Sequence, residues 1–217
     1  MTHRQLTERR IVLASHNAGK VRENAALLAE YGIEVTGAGE LGLLEPAETE
    51  DSFLGNAAIK ALAASRTTGQ VALADDSGFS IAALDGAPGV RTADWAETPN
   101  GRDYGMAMAK VERLARHATD RRAWFSCALV LAWPDGHTEG FLGEVHGQWI
   151  WPPRGTLGFG YDPMFVPEGH DQTFGEIDPT LKHRISHRAA AFRMLAKVCL
   201  PPPTLPLPRS GGGVGRG

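Results

Sequence analysis

The feature that most narrows the fold lies near the start, in "RIVLASHNAGKVRENAALLAEYGIEVTG". Ile11–Ala14 is a short apolar run of the kind that forms a buried strand, and "SHNAGK" follows it as a turn. Val21, Ala25, Leu28 and Tyr31 then recur at helical spacing, and Gly32 stands where a helix would stop. "IEVTG" reads as the next strand. A strand, a loop, a helix and a second strand in succession form the building block of an α/β sheet, and the rest of the chain continues in that style.

"LGLLEPAETED" is an acidic loop, and Ser52 is placed to cap a second helix running to about Ser65. Val71–Ala74 reads as a strand that ends at the adjacent carboxylates Asp75 and Asp76. Asp103–His117 is expected to be a third helix. "AWFSCALVLAW" is rich in aromatic and branched residues, as strands are, and "PDG" turns it into an antiparallel partner, "HTEGFLGEVHGQW". Trp151–Thr180 is rich in Gly and Pro and reads as one long loop. Ser186 is placed to cap a last helix, His187–Cys199. Residues 1–200 are expected to form a single domain with two lobes around a cleft. The Pro-rich and then Gly-rich tail, 201–217, is expected to be disordered.

Composition excludes several function classes. A net charge of −3 offers no global basic field to hold a nucleic acid backbone. No apolar run nears the roughly 20 residues that span a bilayer. The N-terminal "MTHRQLTERR" is polar, and the apolar "IVLA" after it is too short for a secretory signal. Cys127 and Cys199 are far apart, match no metal or disulfide spacing and read as reduced core residues. The expected location is the cytoplasm, with neither nucleic acid nor membrane as partner.

Four constellations carry chemistry. "SHNAGK" joins a strand to a helix, so the first N–H groups of that helix face the loop and attract anions, phosphate above all. Asn17 is a cap, and Lys20 adds a charge that a helix start disfavours unless an anion is bound. It is not a Walker A loop, because Val21 stands where a hydroxyl would hold magnesium. "KHRISHRAAAF" places His187 and Arg188 in a first turn, with Lys182, His183 and Arg184 just before it. Arg188 offers a planar fork of donors suited to a phosphate or a purine carbonyl. Asp75 and Asp76 would share a cation, and magnesium prefers one or two carboxylates plus phosphate oxygens. In "GTLGFGYDPMFVP" the glycines allow close backbone approach, Phe159 and Tyr161 offer stacking faces, and Asp162 accepts from a base edge. His16, His137, His146 and His170 show no ligand spacing. The sum is a nucleoside triphosphate site with hydrolytic options.

"LASHNAGKVRE", "ALADDSGFSIAALDGAPGVRTADWA", "GFGYDPMF" and "LKHRISHRAAAF" together resemble the signature blocks of the inosine/xanthosine triphosphate pyrophosphatase family, in that family's order, over about residues 10 to 199. "GVRTADWA" is similar to bacterial members. The resemblance implies an elongated two-lobed α/β fold around a long curved mixed sheet, and a homodimer. It implies Mg2+-dependent hydrolysis of ITP, dITP and XTP to the monophosphate and pyrophosphate, which cleanses the nucleotide pool. Ser15, His16, Asn17, Ala18, Gly19 and Lys20 would hold the triphosphate. Asp76 would be the proton acceptor and a metal ligand, with Asp75 beside it. Ser77 would touch substrate, and Glu48 would be the metal-binding glutamate, with Glu50 or Asp51 as alternatives. Phe159 would stack on the base with Gly160 and Tyr161 alongside. Asp162, His187 and Arg188 would read the base edge, and Lys182 would reach the ligand.

Two other readings use the same pocket. A nucleotide sensor needs no water-activating carboxylate. A house-cleaning enzyme for modified pyrimidine triphosphates needs a different base slot.

Overall fold

The computed structural model describes residues 3–202. The opening unit forms as the apolar pattern requires: β1 (Arg10–Leu13), α1 (Ala18–Ala29) and β2 (Glu34–Gly37), with β1 and β2 parallel. α2 (Phe53–Thr68) starts at Ser52, whose side chain accepts from the Gly55 N–H, and stops at Gly69 in the left-handed conformation. It leads into β3 (Ala72–Ile81). After three short 3-10 turns come a two-stranded hairpin, β4 (Glu97–Thr98) and β5 (Gly101–Arg102), and α3 (Tyr104–Ala115). The remaining elements are β6 (Arg122–Ala132), β7 (Thr138–Trp149), β8 (Phe165–Pro167), α4 (Pro179–Ile185) and α5 (His187–Cys199).

The six-stranded sheet has the order β2-β1-β3-β6-β7-β8. β1 lies parallel to β2 and β3, and the pairs from β3 outward are antiparallel, so the sheet is mixed. β3, β6 and β7 are 10, 11 and 12 residues long. That length lets them serve three apolar clusters. Leu73, Leu129 and Leu131 pack with α1 and α5 residues on one face. Ala72, Ala74, Ala128 and Val130 pack under α2 on the other. Farther along the same strands, Phe79, Ile81, Ala123 and Phe125 belong to a separate core with α3, Trp149 and Phe174. The polar stretch Asp75–Gly78 lies between these apolar halves.

Here the structure corrects a sequence expectation. The strand does not end at the Asp pair. It continues for five more residues after Asp76, with Asp75 opposite Leu129, Asp76 opposite Ala128 and Ser77 opposite Cys127. Strand pairing uses backbone groups, so a polar insert does not stop the ladder if its side chains find partners. A second correction concerns 151–180. That region holds a 3-10 turn at Asp162–Met164, the short strand β8 and the start of α4, so Lys182, His183 and Arg184 are helical. The expectation for the tail falls on 203–217, which lie outside the described residues.

Close backbone approach fixes where the last helix crosses. A Cβ on Gly143 would lie 2.1 Å from the Ala191 nitrogen and 2.5 Å from the His187 carbonyl oxygen. Only a glycine lets β7 touch the first turn of α5, and that contact sets the height at which His187 and Arg188 meet the sheet.

Candidate active site

The pleat of β3 explains the doubled carboxylates. Successive side chains of a strand point to opposite faces, so Asp75 and Asp76 do not share one environment. Asp75 turns toward α1 and α5. Its Oδ2 accepts from Arg188 Nε at 2.5 Å and from Asn24 Nδ2 at 3.2 Å, and its Oδ1 lies 3.0 Å from Lys20 Nζ. Burial pushes the Asp75 carboxyl up, but Arg188 and Lys20 outweigh it and hold the group well below the usual carboxylate range. Asp76 turns toward α2. Its Oδ1 accepts from Lys60 Nζ at 3.1 Å, and the same ammonium reaches Glu48 Oε1 at 2.6 Å. Burial raises the Asp76 carboxyl above its ordinary value, and Glu48 adds to the rise against the pull of Lys60 and Lys20. Burial alone would lower Lys60, but Asp76 and Glu48 raise it, so it stays charged.

Asp76 Oδ2 is buried and has no hydrogen-bond partner. An ionised oxygen in that position is costly unless a cation or a water meets it. This orphaned oxygen, with Glu48 drawn beside it by the shared lysine, fits a hard divalent cation that takes oxygen ligands. Among the described residues no group of three or more His, Cys, Asp and Glu is gathered as a ready-made cage. Glu50 and Asp51, the alternatives to Glu48, are exposed, and the Glu50 N–H donates to Asn56 Oδ1 at 2.9 Å.

Next to the acidic half of the cleft lies an aromatic half. Phe159 is 40% exposed, and Lys182 Nζ sits 4.9 Å from its ring centroid. Lys182 Nζ also donates to Asp162 Oδ2 at 2.5 Å, and the Phe159 N–H donates to the same oxygen at 2.7 Å. Burial raises the Asp162 carboxyl despite that lysine. His187 stacks on Phe125 with centroids 5.0 Å apart and planes 14° apart. Its Nδ1 is buried without a partner, and burial, with Arg188 nearby, holds its pKa well below the ordinary value, so the ring is neutral. The aromatic and acidic halves share Asn17, Lys20, Ser77, Ala93 and Arg102, so they form one continuous cleft.

The "SHNAGK" turn stands at this junction. Asn17 caps α1, accepting from the Gly19 and Lys20 N–H groups at 2.9 and 3.2 Å, and Ser15 Oγ accepts from the Asn17 N–H at 3.2 Å. Two of the N–H groups expected to face an anion therefore already have an acceptor. Ala18 opens the helix, and a Cβ on Gly19 would lie 3.8 Å from the Phe159 ring, so the turn and that ring face each other.

Four expected residues are placed differently. His16 turns from the cleft to the Leu43 carbonyl, 2.8 Å from its Nε2. Tyr161 is a core residue rather than a free stacking face: it is 1% exposed, packs on Phe79 at 5.1 Å and donates its hydroxyl to the Thr92 carbonyl at 3.3 Å. Arg188 does not face the cleft. Its fork is engaged by Asp75, Glu23 and Ser77 Oγ; burial works against its charge, but Asp75 and Glu23 outweigh it and keep it firmly charged. Asp75 is likewise committed to that network rather than to a shared cation.

Lys60 escaped the sequence reading. Its signal was a lone lysine inside the apolar helix stretch "AAIKALAA". Asn24 and Glu23, which complete the Asp75–Arg188 network, carried no signal beyond helical spacing.

The fold and cleft define an α/β protein with a curled mixed sheet and a charged groove at mid-strand. The Ham1 family model matches residues 11–198. The dITP/XTP pyrophosphatase of Ruegeria pomeroyi is 57% identical over 194 residues, covering 87% of this chain and 94% of that one. The dITP/XTP pyrophosphatase of Agrobacterium fabrum is 53% identical over 211 residues, covering 91% and 99%. Among solved structures, a HAM1 protein from Coxiella burnetii superposes with a TM-score of 0.81 at 37% identity, over 88% of this chain and 98% of that one. The chain belongs to the Ham1 family.

Proposed function

We propose that this protein is a nucleoside triphosphate pyrophosphohydrolase that converts deaminated purine nucleotides (dITP, ITP and XTP) to the monophosphate and pyrophosphate, with Mg2+ as cofactor. The observation that carries this reading is the continuity of an aromatic slot with a buried lysine–carboxylate cluster across Asn17, Lys20 and Ser77. A base and a string of phosphates need these two environments side by side. Relatives 50–57% identical that bear the name dITP/XTP pyrophosphatase support the same substrate class.

In the aromatic slot Phe159 stacks on the base. Lys182 presents a donor and Asp162 an acceptor, held together at 2.5 Å. A deaminated purine offers the complement, a 6-carbonyl acceptor next to a protonated N1. Adenine offers the reverse and sets donor against donor and acceptor against acceptor, a mismatch that can reject an analogue by roughly 10⁴-fold. In the acidic half Asp76 and Glu48 would hold Mg2+, which when bound neutralises charge on the phosphate oxygens. Lys20 and Lys60 add positive charge beside those oxygens. Asp76 accepts the proton of a water whose oxygen bonds to the α-phosphorus. The bond from that phosphorus to the bridging oxygen breaks, and pyrophosphate leaves with that oxygen. A raised Asp76 pKa makes it a better proton acceptor than an ordinary carboxylate.

The proposal extends to a homodimer working in the cytoplasm on free nucleotide, with neither nucleic acid nor membrane as partner. The net charge of −3 supports the first exclusion, and no helix among the described residues is long and apolar enough to cross a membrane. The deciding experiment measures pyrophosphate release from ITP, XTP, GTP, ATP and a modified UTP with and without Mg2+. Preference for ITP and XTP is expected. Tight ITP binding with no release makes the protein a sensor, and turnover of the modified UTP alone assigns it a pyrimidine substrate.

A further inference from the structure

The charged side chains that line the cleft or lie behind it are already matched. Lys20 and Arg188 answer Asp75 and Glu23, Lys60 answers Asp76 and Glu48, and Lys182 answers Asp162. Carboxylates outnumber cations in this set by one, and Glu45 and Asp94 add further negative charge along the acidic half. A polyphosphate entering here meets no buried cation that lacks a carboxylate.

Arg102 is different. It belongs to both halves of the cleft, and it alone brings a cation to the junction from the hairpin side. Its backbone is pinned: β4 and β5 pair Glu97 with Arg102, the Asp103 N–H donates to the Ala96 carbonyl at 2.7 Å, and Asp103 caps α3 through the Met106 N–H. Its side chain is loosely held. The guanidinium lies 3.8 Å from Glu97, beyond hydrogen-bond distance, with the side chains 48% and 64% exposed. An exposed pair of that length is worth little, so exchanging Glu97 for two oxygens of a phosphate group that share its negative charge is favourable.

We propose that Arg102 is a substrate-contacting residue, an arm of the β4–β5 hairpin that leaves Glu97 and closes on the phosphate nearest the sugar. The position follows from the cleft's layout: the junction between a slot for the base and a trough for phosphates is where the sugar and α-phosphate must lie. The guanidinium fork matches two oxygens of one phosphate, which a lysine at the same place would meet only as a point charge. This inference rests on the proposed nucleotide substrate.

Wild type, Arg102→Ala and Arg102→Lys are compared by calorimetric titration with IMP and with inosine, by ITP kinetics and by thermal melting. Arg102→Ala is expected to weaken IMP binding by about 10- to 100-fold, the usual worth of charge-assisted hydrogen bonds. Inosine affinity and the melting temperature stay at wild-type values, and Arg102→Lys falls between the two. Equal IMP affinity in wild type and Arg102→Ala overturns the inference while leaving the functional reading intact. Equal loss of IMP and inosine affinity also overturns it, because the contact would then not be to phosphate. Wild type that neither binds IMP nor hydrolyses ITP overturns the functional reading itself.

Discussion

Asp75 and Asp76 are neighbours in the chain, yet the structure gives them opposite tasks, and their asparagine variants should separate cleanly. Asp75 is 3% exposed and compensates Arg188, also 3% exposed, together with Lys20. Replacing it by Asn leaves Lys20 and Arg188 with one remaining paired carboxylate between them, Glu23, in a largely buried setting. Breaking a buried ion pair from one side costs about 3–5 kcal/mol, and at roughly 2–4 °C per kcal/mol for a chain of this size the melting temperature falls by about 6–20 °C. Asp76→Asn should behave otherwise. Its ionised form is disfavoured by burial, and Lys60 keeps Glu48 and the Asp75 carbonyl, at 2.6 and 3.1 Å, as acceptors. Its stability should change by no more than about 1 kcal/mol, while kcat falls by about 10²- to 10⁴-fold with the loss of the proton acceptor. Thermal melting and pyrophosphate release from ITP, run on both variants, form the assay. An Asp75→Asn protein that melts with wild type would refute the division of labour. So would an Asp76→Asn protein that unfolds as early as Asp75→Asn yet still turns over.

Other consequences are open to direct measurement. The Asp75 carboxyl is held below its unfolded value, near 3.9, so its contribution to stability is fully present above that pH and is lost as pH falls toward the folded pKa. Acid titration of wild type should therefore show a steeper loss below about pH 4 than Asp75→Asn shows, and parallel curves would count against the assignment. Because burial raises the Asp76 carboxyl in the metal-free protein, its titration there, followed by NMR, should show a limb above the ordinary aspartate value, and bound Mg2+ should move it down. A limb at or below that value would contradict it. Phe159→Ala should raise KM for ITP by about 5- to 100-fold through lost stacking, with melting unchanged, because the ring is 40% exposed. Gly143→Ala should lower the melting temperature and ITP turnover together, since the added methyl must push α5 off β7.

How much of this was legible in the sequence follows from the range over which each feature is determined. The opening β1–α1–β2 unit, the Ser52 and Ser186 caps, α3 and the β6–β7 hairpin rest on short-range periodicity, capping and turn chemistry, and they formed where local rules placed them. The clustering of Lys20, Asp76, Phe159, Asp162, Lys182 and His187 along one cleft also matched, because each sits in a motif whose residue types ask for a ligand. What failed was any inference that two residues adjacent in sequence act together. Asp75 and Asp76 looked like one doubled charge. On a strand they face opposite layers, and which layer holds which cation depends on helices 16 to 113 residues away, at Asn24, Lys60 and Arg188.

The amino-acid order alone thus determined the α/β class, the local elements and the inventory of charged and aromatic groups, because these depend on neighbours within a few residues. Only the tertiary structure decided that β3 runs on through the carboxylates and that Arg188 is spent on Asp75. It also decided that Lys60 ties Glu48 to Asp76 and that Arg102 is left with a loose partner. Those outcomes come from long-range pairing, in which each buried charge takes whichever partner packing brings within reach, and no local pattern encodes that choice.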